Sequence, residues 1–378
     1  MVEKKYRVID ADAHHHEPQY LWDRYVEPKY RDRIPRVIGM QRNFFVYAPD
    51  DKYLPAGEQF PPPAFHDQWM ENKYGQAYHQ WWSPDIRLKD MDRHGWSIQV
   101  ILSTNANRIM EMSLKDAEIG GALARAYHNW CAEYSSADPK RLKWTGTLPG
   151  ADPVEMVNEA RRAVEKLGAV SVRNPLLPEG KVLHEPEYEP LWALASELDF
   201  PISVHGESRH RRAAPFRKIR REDQPARAMD HMIGFPMDNM ITMANFIFGG
   251  ILERHPRLRL GILESNVGWA MFWLPRMDDH SHGRRNVLGH GLPLKPSEYV
   301  LRQMVISADP DEPGLDKVID FMGDENIVWN TDYPHPDAPD PDKALSWFLD
   351  QPISDSSKRK ILWDNSVRLY GRRLLEGM

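Results

Sequence analysis

The chain has 378 residues, 41% of them hydrophobic, a formal net charge of −6 and a single cysteine, Cys131. That apolar fraction can fill a large core. The acidic balance argues against nucleic acid as the main partner, because phosphate binding needs clustered Lys and Arg, and one cysteine excludes an internal disulfide. No apolar run approaches the roughly 20 residues of a membrane helix, and the opening MVEKKYRVIDAD lacks the apolar stretch of a signal peptide. The expectation is a cytoplasmic enzyme acting on a small molecule, away from membranes and nucleic acid.

In chain order, Arg7-Val8-Ile9 leads into Asp10-Ala11-Asp12 as the first strand. Residues 28–92 follow as a long insertion rich in Pro and aromatics, with Pro55, Pro61 to Pro63, Trp69 and Trp81-Trp82. Ser97 to Leu102 reads as a buried strand, and Leu114 to Glu133 as a helix. Leu142 to Leu148 is the third strand. Asp152 and Pro153 make an N-cap and first helical residue for a helix to Lys166, with Gly168 just beyond its end. Ala169 to Val172, Pro201 to His205, Leu258 to Leu263, Gln303 to Ser307 and Asn326 to Asn330 complete eight strand candidates, with Glu189 to Glu197 as a further helix. Residues 206–238 form a second insertion, basic and irregular. The tail from Ile361 reads as a terminal helix closed by Gly371. Apolar strands alternating with helices indicate parallel pairing. Eight such units predict an α/β chain folded as a (β/α)8 barrel (TIM barrel) of one domain, 1–378, with insertions at about 28–92 and 206–238. An open doubly wound sheet is the competing architecture.

Three strand ends carry ligand-type residues. Asp12 and His14 are two apart, so on a strand they share a face, and His16 continues the phase. Carboxylate and imidazole suit a first-row metal. His205 ends Ile202-Ser203-Val204, and Asp332 follows Trp329-Asn330-Thr331; taken singly, the first could be a structural histidine and the second a turn cap. An (β/α)8 barrel keeps its active site at the C-terminal ends of its strands, so the three ends support one another. Arg173-Asn174 follows the fourth strand and suits a carboxylate. His335 lies three residues past Asp332, where it would bind substrate or support the aspartate. Glu264 ends the sixth strand, as a general acid or base, a ligand, an orienting group for Arg173 or His205, or a structural carboxylate. Glu207 reads as a loop charge. Arg209 to Arg212 with Arg217 to Arg221 form a basic patch, either a solvated loop or an attractor for an anionic substrate. Trp269, Phe272, Trp273 and Met277 have helical spacing and read as core or interface packing.

The segments DADAHHHEP, SVHGE, ERHPRLRLGILES, NTDYPHPD and WDNSVRLYG, in that order, resemble the amidohydrolase-related group of the amidohydrolase superfamily, which includes metal-dependent hydrolases and non-oxidative decarboxylases such as those of the aminocarboxymuconate-semialdehyde type. The resemblance runs from about residue 6 to 371. It implies one divalent ion, Zn²⁺ first and Mn²⁺ second, held by Asp12, His14, His205 and Asp332. One departure stands out: many of the family's decarboxylases carry a histidine at the end of strand six, where this chain has Glu264-Ser265-Asn266, and His255 lies before that strand.

That departure favours a hydrolase. Water on the metal would lose a proton to Asp332 and attack a carbonyl, with His16, Glu264 or His335 protonating the leaving group and Arg173 and Asn174 positioning substrate; His205 would act beside the metal. The alternative is a non-oxidative decarboxylase of an aromatic or related acid. A third reading is a non-catalytic barrel serving as a binding or assembly module. The Trp-rich insertion predicts a homodimer.

Overall fold

A computed structural model gives the fold. It describes residues 6–377 except 19, 34–36, 42–43, 48–67, 108–109, 111–113, 207–223, 284 and 286–290; for 37–41, 44–47 and 224–230 the secondary structure alone is described. Among the described residues, eight parallel strands are hydrogen-bonded in chain order. They are β1 (Ile9–His14), β2 (Ile98–Leu102), β3 (Leu142–Gly146), β4 (Ser171–Arg173), β5 (Ile202–His205), β6 (Leu260–Leu263), β7 (Met304–Ala308) and β8 (Ile327–Trp329). This is the (β/α)8 barrel fold. A doubly wound sheet would reverse its strand order at a switch point, and this order never reverses. A short antiparallel hairpin, Val37–Gln41 with Phe44–Tyr47, lies in the first insertion. The basic patch, Glu207, Pro55 and Pro61 to Pro63 lie outside the described residues.

The chain falls into two compact units. The first comprises Met1–Pro178, Thr331–Leu345 and Arg372–Met378. It holds β1 to β4 and the helices α1 (Pro84–His94), α2 (Ala117–Ser135) and α3 (Pro153–Lys166). The caps are local sequence effects. Asp116 accepts the Ile119 N–H at 3.2 Å to start α2, and Asp152 accepts those of Val154 and Glu155 at 2.9 and 3.1 Å to start α3. Each supplies an acceptor to amides that have no intrahelical partner. All six residues of β1 are buried although two are aspartates and one a histidine. Burying such groups is costly unless they are hydrogen-bonded, so this strand is already marked as something other than plain core.

The second unit comprises Glu179–Asn330 and Ser346–Gly371. It holds β5 to β8 with α4 (Glu189–Leu198), α5 (Gln224–Phe248), α6 (Ala270–Ser281), α7 (Pro296–Gln303) and α8 (Leu315–Met322). Asn365 ties the tail to β8: its amide donates to Ile327 O at 2.6 Å and to Asp324 O at 2.7 Å. The last helix of this unit, Asn365–Tyr370, stops at Gly371, whose φ of +68° suits a residue without Cβ. Of the aromatic stripe on α6, Met277 is buried, Trp269 and Trp273 are half-buried and Phe272 is 61% exposed, so the stripe is only partly core. No described helix is long and apolar enough to cross a membrane.

Candidate active site

In the first unit, β1 delivers Asp12 and His14, both buried, from one strand face. His14 Nδ1 lies 3.2 Å from Ser103 O. A carbonyl only accepts, so the proton sits on Nδ1 and the Nε2 lone pair is left for a metal or an acid. That Nε2 lies 3.4 Å from Asp12 Oδ1 and 3.2 Å from Asp332 Oδ1. Asp332 Oδ1 also lies 2.7 Å from His335 Nδ1. His335 stacks on His14, ring centres 4.0 Å apart at 28°, and its Nε2 meets Thr104 Oγ1 at 2.8 Å. Asp332 adopts φ +55°, a left-handed conformation uncommon for a residue with Cβ and frequent at functional sites.

Backbone bonds hold the arrangement. Asp332 N donates to Asp12 O at 2.9 Å and His14 N to Tyr333 O at 2.7 Å. Asp10 accepts the Thr331 N–H at 2.9 Å, the Thr331 hydroxyl at 2.6 Å and the Gln99 amide at 2.9 Å. Burial pushes the Asp10 carboxyl up to about 6, against the opposing pull of those bonds. Arg87, fully buried, donates to His14 O at 2.5 Å, to Gln99 Oε1 at 3.1 Å and to Tyr134 Oη at 2.8 Å. Glu17, also buried, accepts the N–H groups of Thr104 (3.0 Å), Asn105 (2.9 Å) and Ala106 (3.3 Å), fixing the loop that presents Thr104 to His335. Burial raises the Glu17 carboxyl above its ordinary value.

The other predicted residues of this unit have packing roles too. His16 lies past the end of β1, stacks on Trp82 at 4.4 Å, and its Nε2 is 3.4 Å from Pro334 O. Arg173 is buried and donates to Ser103 O at 3.3 Å, sharing that acceptor with His14. Asn174, next in the chain, is half-buried.

In the second unit, His205 ends β5 with Nδ1 2.8 Å from Gly206 O, leaving its other partner to Nε2. That nitrogen is in contact with Glu264 Oε2. Glu264 follows β6 with φ +48°, and its N–H donates to Ser307 Oγ at 3.1 Å. Its Oε1 is 3.5 Å from His231 Nε2 on α5. Phe235, one turn on, lies beside His231 at 4.3 Å and His205 at 6.0 Å. Asp309, just after β7, is driven up to about 6 by burial and by the charge of Glu312. His255 pairs with Glu189 at 2.8 Å before β6.

Sequence reasoning missed Arg87, Glu17, Thr104 and His231. The last had a readable signal, since 231 and 235 share a helix face. The others act through partners distant in the chain.

The donor set of the first unit fits a divalent cation. His14, Asp332 and His335 offer ligand atoms all within 4.8 Å of one another, as do Asp12 and His14. Two buried carboxylates facing one imidazole nitrogen repel unless a cation or proton joins them. Ligand atoms about 2.1 Å from a common ion stand about 3 to 3.4 Å apart, which is the spacing His14 Nε2 keeps from both carboxylates.

A sequence model of the amidohydrolase family matches residues 10–372. The chain belongs to the amidohydrolase family. This member is 24% identical over 290 residues to the 2-amino-3-carboxymuconate-6-semialdehyde decarboxylase of Dictyostelium discoideum, covering 77% of each chain. It is 23% identical over 297 residues to the gamma-resorcylate decarboxylase of Polaromonas sp. strain JS666, covering 76% of this chain and 86% of that one. A crystal structure of 5-carboxyvanillate decarboxylase from Novosphingobium aromaticivorans, with bound manganese and 3-methoxy-4-hydroxy-5-nitrobenzoic acid, matches it with a TM-score of 0.70 at 17% identity, over 97% of this chain and 98% of that one. The amidohydrolase is therefore an enzyme, and its fold and donor set support a divalent metal. The expectation of a water-activating hydrolase is overturned: these two relatives, each aligned over about three quarters of this chain, are decarboxylases. The physical reason is that carboxylate and imidazole ligands serve a metal equally well whether it binds water or substrate oxygens. The ligand types do not separate the two reactions, and the Glu264 departure carried more weight than it could bear.

Proposed function

We infer that this enzyme is a non-oxidative decarboxylase of a small aromatic or closely related carboxylic acid. The observation that carries the reading is the pair of decarboxylase relatives aligned over most of its length. Asp12, His14 and Asp332 are proposed to hold the ion, with His205 added on the order of the family's motifs. The carboxylate-rich set accepts Mn²⁺ or Zn²⁺, and the manganese in the structural relative favours Mn²⁺. When bound, the ion supplies positive charge for the substrate carboxylate and a neighbouring hydroxyl or enol oxygen.

The reaction exchanges a carboxylate for a proton. The ring carbon bearing the carboxylate takes a proton, the carbon–carbon bond then breaks, its electron pair returns to the ring, and CO₂ leaves. The proton is assigned to Asp332, whose Oδ1 lies within reach of both imidazoles. His335 holds that carboxylate in place with Nδ1 while Nε2 is committed to Thr104. Arg173, fixed by Ser103 O, and Asn174 are proposed to face the substrate's acidic group. Glu264 is proposed to orient His205 and His16 to face the substrate.

The same reading takes the enzyme to be a cytoplasmic homodimer acting on a free small molecule, away from nucleic acid and membranes. The acidic charge and the exposed Phe272 and Met271 on α6 support it, and sedimentation gives the oligomeric state. The activity is tested with Mn²⁺-loaded protein and a panel of 2-hydroxybenzoic and enol carboxylic acids. Release of CO₂ with formation of the decarboxylated product is expected; hydrolysis of esters or amides without CO₂ from any acid would overturn it.

A further inference from the structure

Helix Gln68–Tyr74 lies in the first insertion, between β1 and β2. Its last two residues both reach the segment that follows Asp332. Lys73 Nζ donates to Pro336 O at 2.9 Å, to His335 O at 3.4 Å and to Ala338 O. Tyr74 Oη donates to His335 O at 2.5 Å. Residues 331–340 form neither helix nor strand, so no ladder serves these carbonyls; His335 O takes a turn bond from Ala338 N at 3.3 Å, and buried carbonyls need donors. An ammonium has three N–H donors, and three carbonyls of one short segment take them. Neutral donors would satisfy the same oxygens without placing a charge in a half-buried position, so chain satisfaction alone does not call for a lysine.

The segment so held carries His335. Its ring has Nδ1 on Asp332 at 2.7 Å, Nε2 on Thr104 at 2.8 Å and one face on His14. With both nitrogens and a face committed, a movement of the His335 backbone passes directly to the Asp332 carboxylate. We propose that Lys73 is a positioning residue of the Asp332–His335 pair: its ammonium gathers the carbonyls of residues 335, 336 and 338 and so sets the angle at which His335 meets Asp332. The inference rests on reading Asp332 and His335 as part of the reaction site. It gives the first insertion a function at that site.

The test uses the full-length protein, Lys73→Ala, and methylammonium as a small replacement for the missing ammonium. Two signals are read. One is the imidazole N–H resonance of His335 in histidine-labelled, metal-free protein without substrate, assigned by its loss in His335→Gln. The other is kcat for CO₂ release. In Lys73→Ala the resonance is expected to move and kcat to fall about tenfold or more, the scale of a misplaced catalytic group, with KM little changed. Methylammonium should restore both in proportion to its concentration, and tetramethylammonium, which has no N–H, should restore neither. An unmoved resonance with unchanged kcat overturns the proposal, and so does a folded Lys73→Ala whose losses no amine reverses. If Lys73→Ala does not fold, Lys73→Met, which keeps an unbranched stem without the ammonium, is read for the same two shifts. If no acid releases CO₂ from the wild type but the resonance moves and returns, the reaction assignment fails and the positioning stands.

Discussion

Asp332 and His335 form a pair across one hydrogen-bonded turn, with His335 Nδ1 2.7 Å from Asp332 Oδ1 and the aspartate backbone held in a left-handed conformation. The pair joins an acid three residues past β8 to a histidine ring that stacks on the β1 histidine. Asp332→Asn keeps the shape and removes the carboxylate that would carry the proton. At saturating Mn²⁺ its kcat should fall by about 10²-fold or more while its melting temperature stays close to that of the Mn²⁺-loaded wild type. CO₂ release and thermal unfolding check this, and a metal-replete Asp332→Asn enzyme with wild-type kcat would refute the role.

Metal removal should act on stability as well as rate. An ion bound only by the folded state stabilises it by about 2.7 kcal/mol at a hundred times its dissociation constant. Chelation should lower the melting temperature and Mn²⁺ should restore it. In Asp12→Asn the restoration should need much more Mn²⁺. Identical melting with and without ion, in protein stripped by chelator, would remove the metal from the account.

Glu159 predicts a pH dependence of stability. It is buried, which alone would raise its carboxyl, but hydrogen bonds from Arg162 and His128 outweigh burial and hold it at about 2. The folded value lies below the unfolded value of 4.5. Its contribution is therefore fully present above about pH 4.5 and is lost as pH falls toward 2, and it amounts to about 3 kcal/mol. Glu159→Gln should be less stable than wild type by up to that amount at pH 7, with the gap closing below pH 4.5. Urea unfolding at pH 7 and pH 3 measures it; a gap that widens in acid would contradict the assignment.

Arg87→Met should destabilise by about 3 kcal/mol, because His14 O and Gln99 Oε1 would lose buried donors. It should also weaken Mn²⁺ binding, since His14 is one of the anchored groups. Denaturant unfolding and metal titration on the same samples separate the two effects. Unaltered metal affinity in the destabilised variant would confine Arg87 to a structural role.

Much of this was readable in the sequence. The eight strands were visible as apolar runs because parallel strands are buried on both faces, and Asp152 announced the start of α3 by composition alone. That Asp12 and His14 lie side by side was readable from their spacing, and Asp332, which meets the same imidazole, lies three residues past β8. Glu17 and Arg87 did not show themselves, because what they do depends on partners 73 to 89 residues away along the chain. Lys73 was hidden in an insertion readable only as long and aromatic. The reaction was misread because it is set less by the ligands than by what the metal and proton donor face, and Glu264 was weighed without sight of His231 beside its carboxylate.

The most direct measurement is turnover in heavy water, with the product examined by NMR. Removal of the carboxylate as CO₂ and its replacement by solvent hydrogen should leave one deuterium on the carbon that bore it, with no solvent oxygen incorporated. A product carrying oxygen from labelled water in a newly formed carboxyl or hydroxyl, and no deuterium on carbon, would contradict decarboxylation.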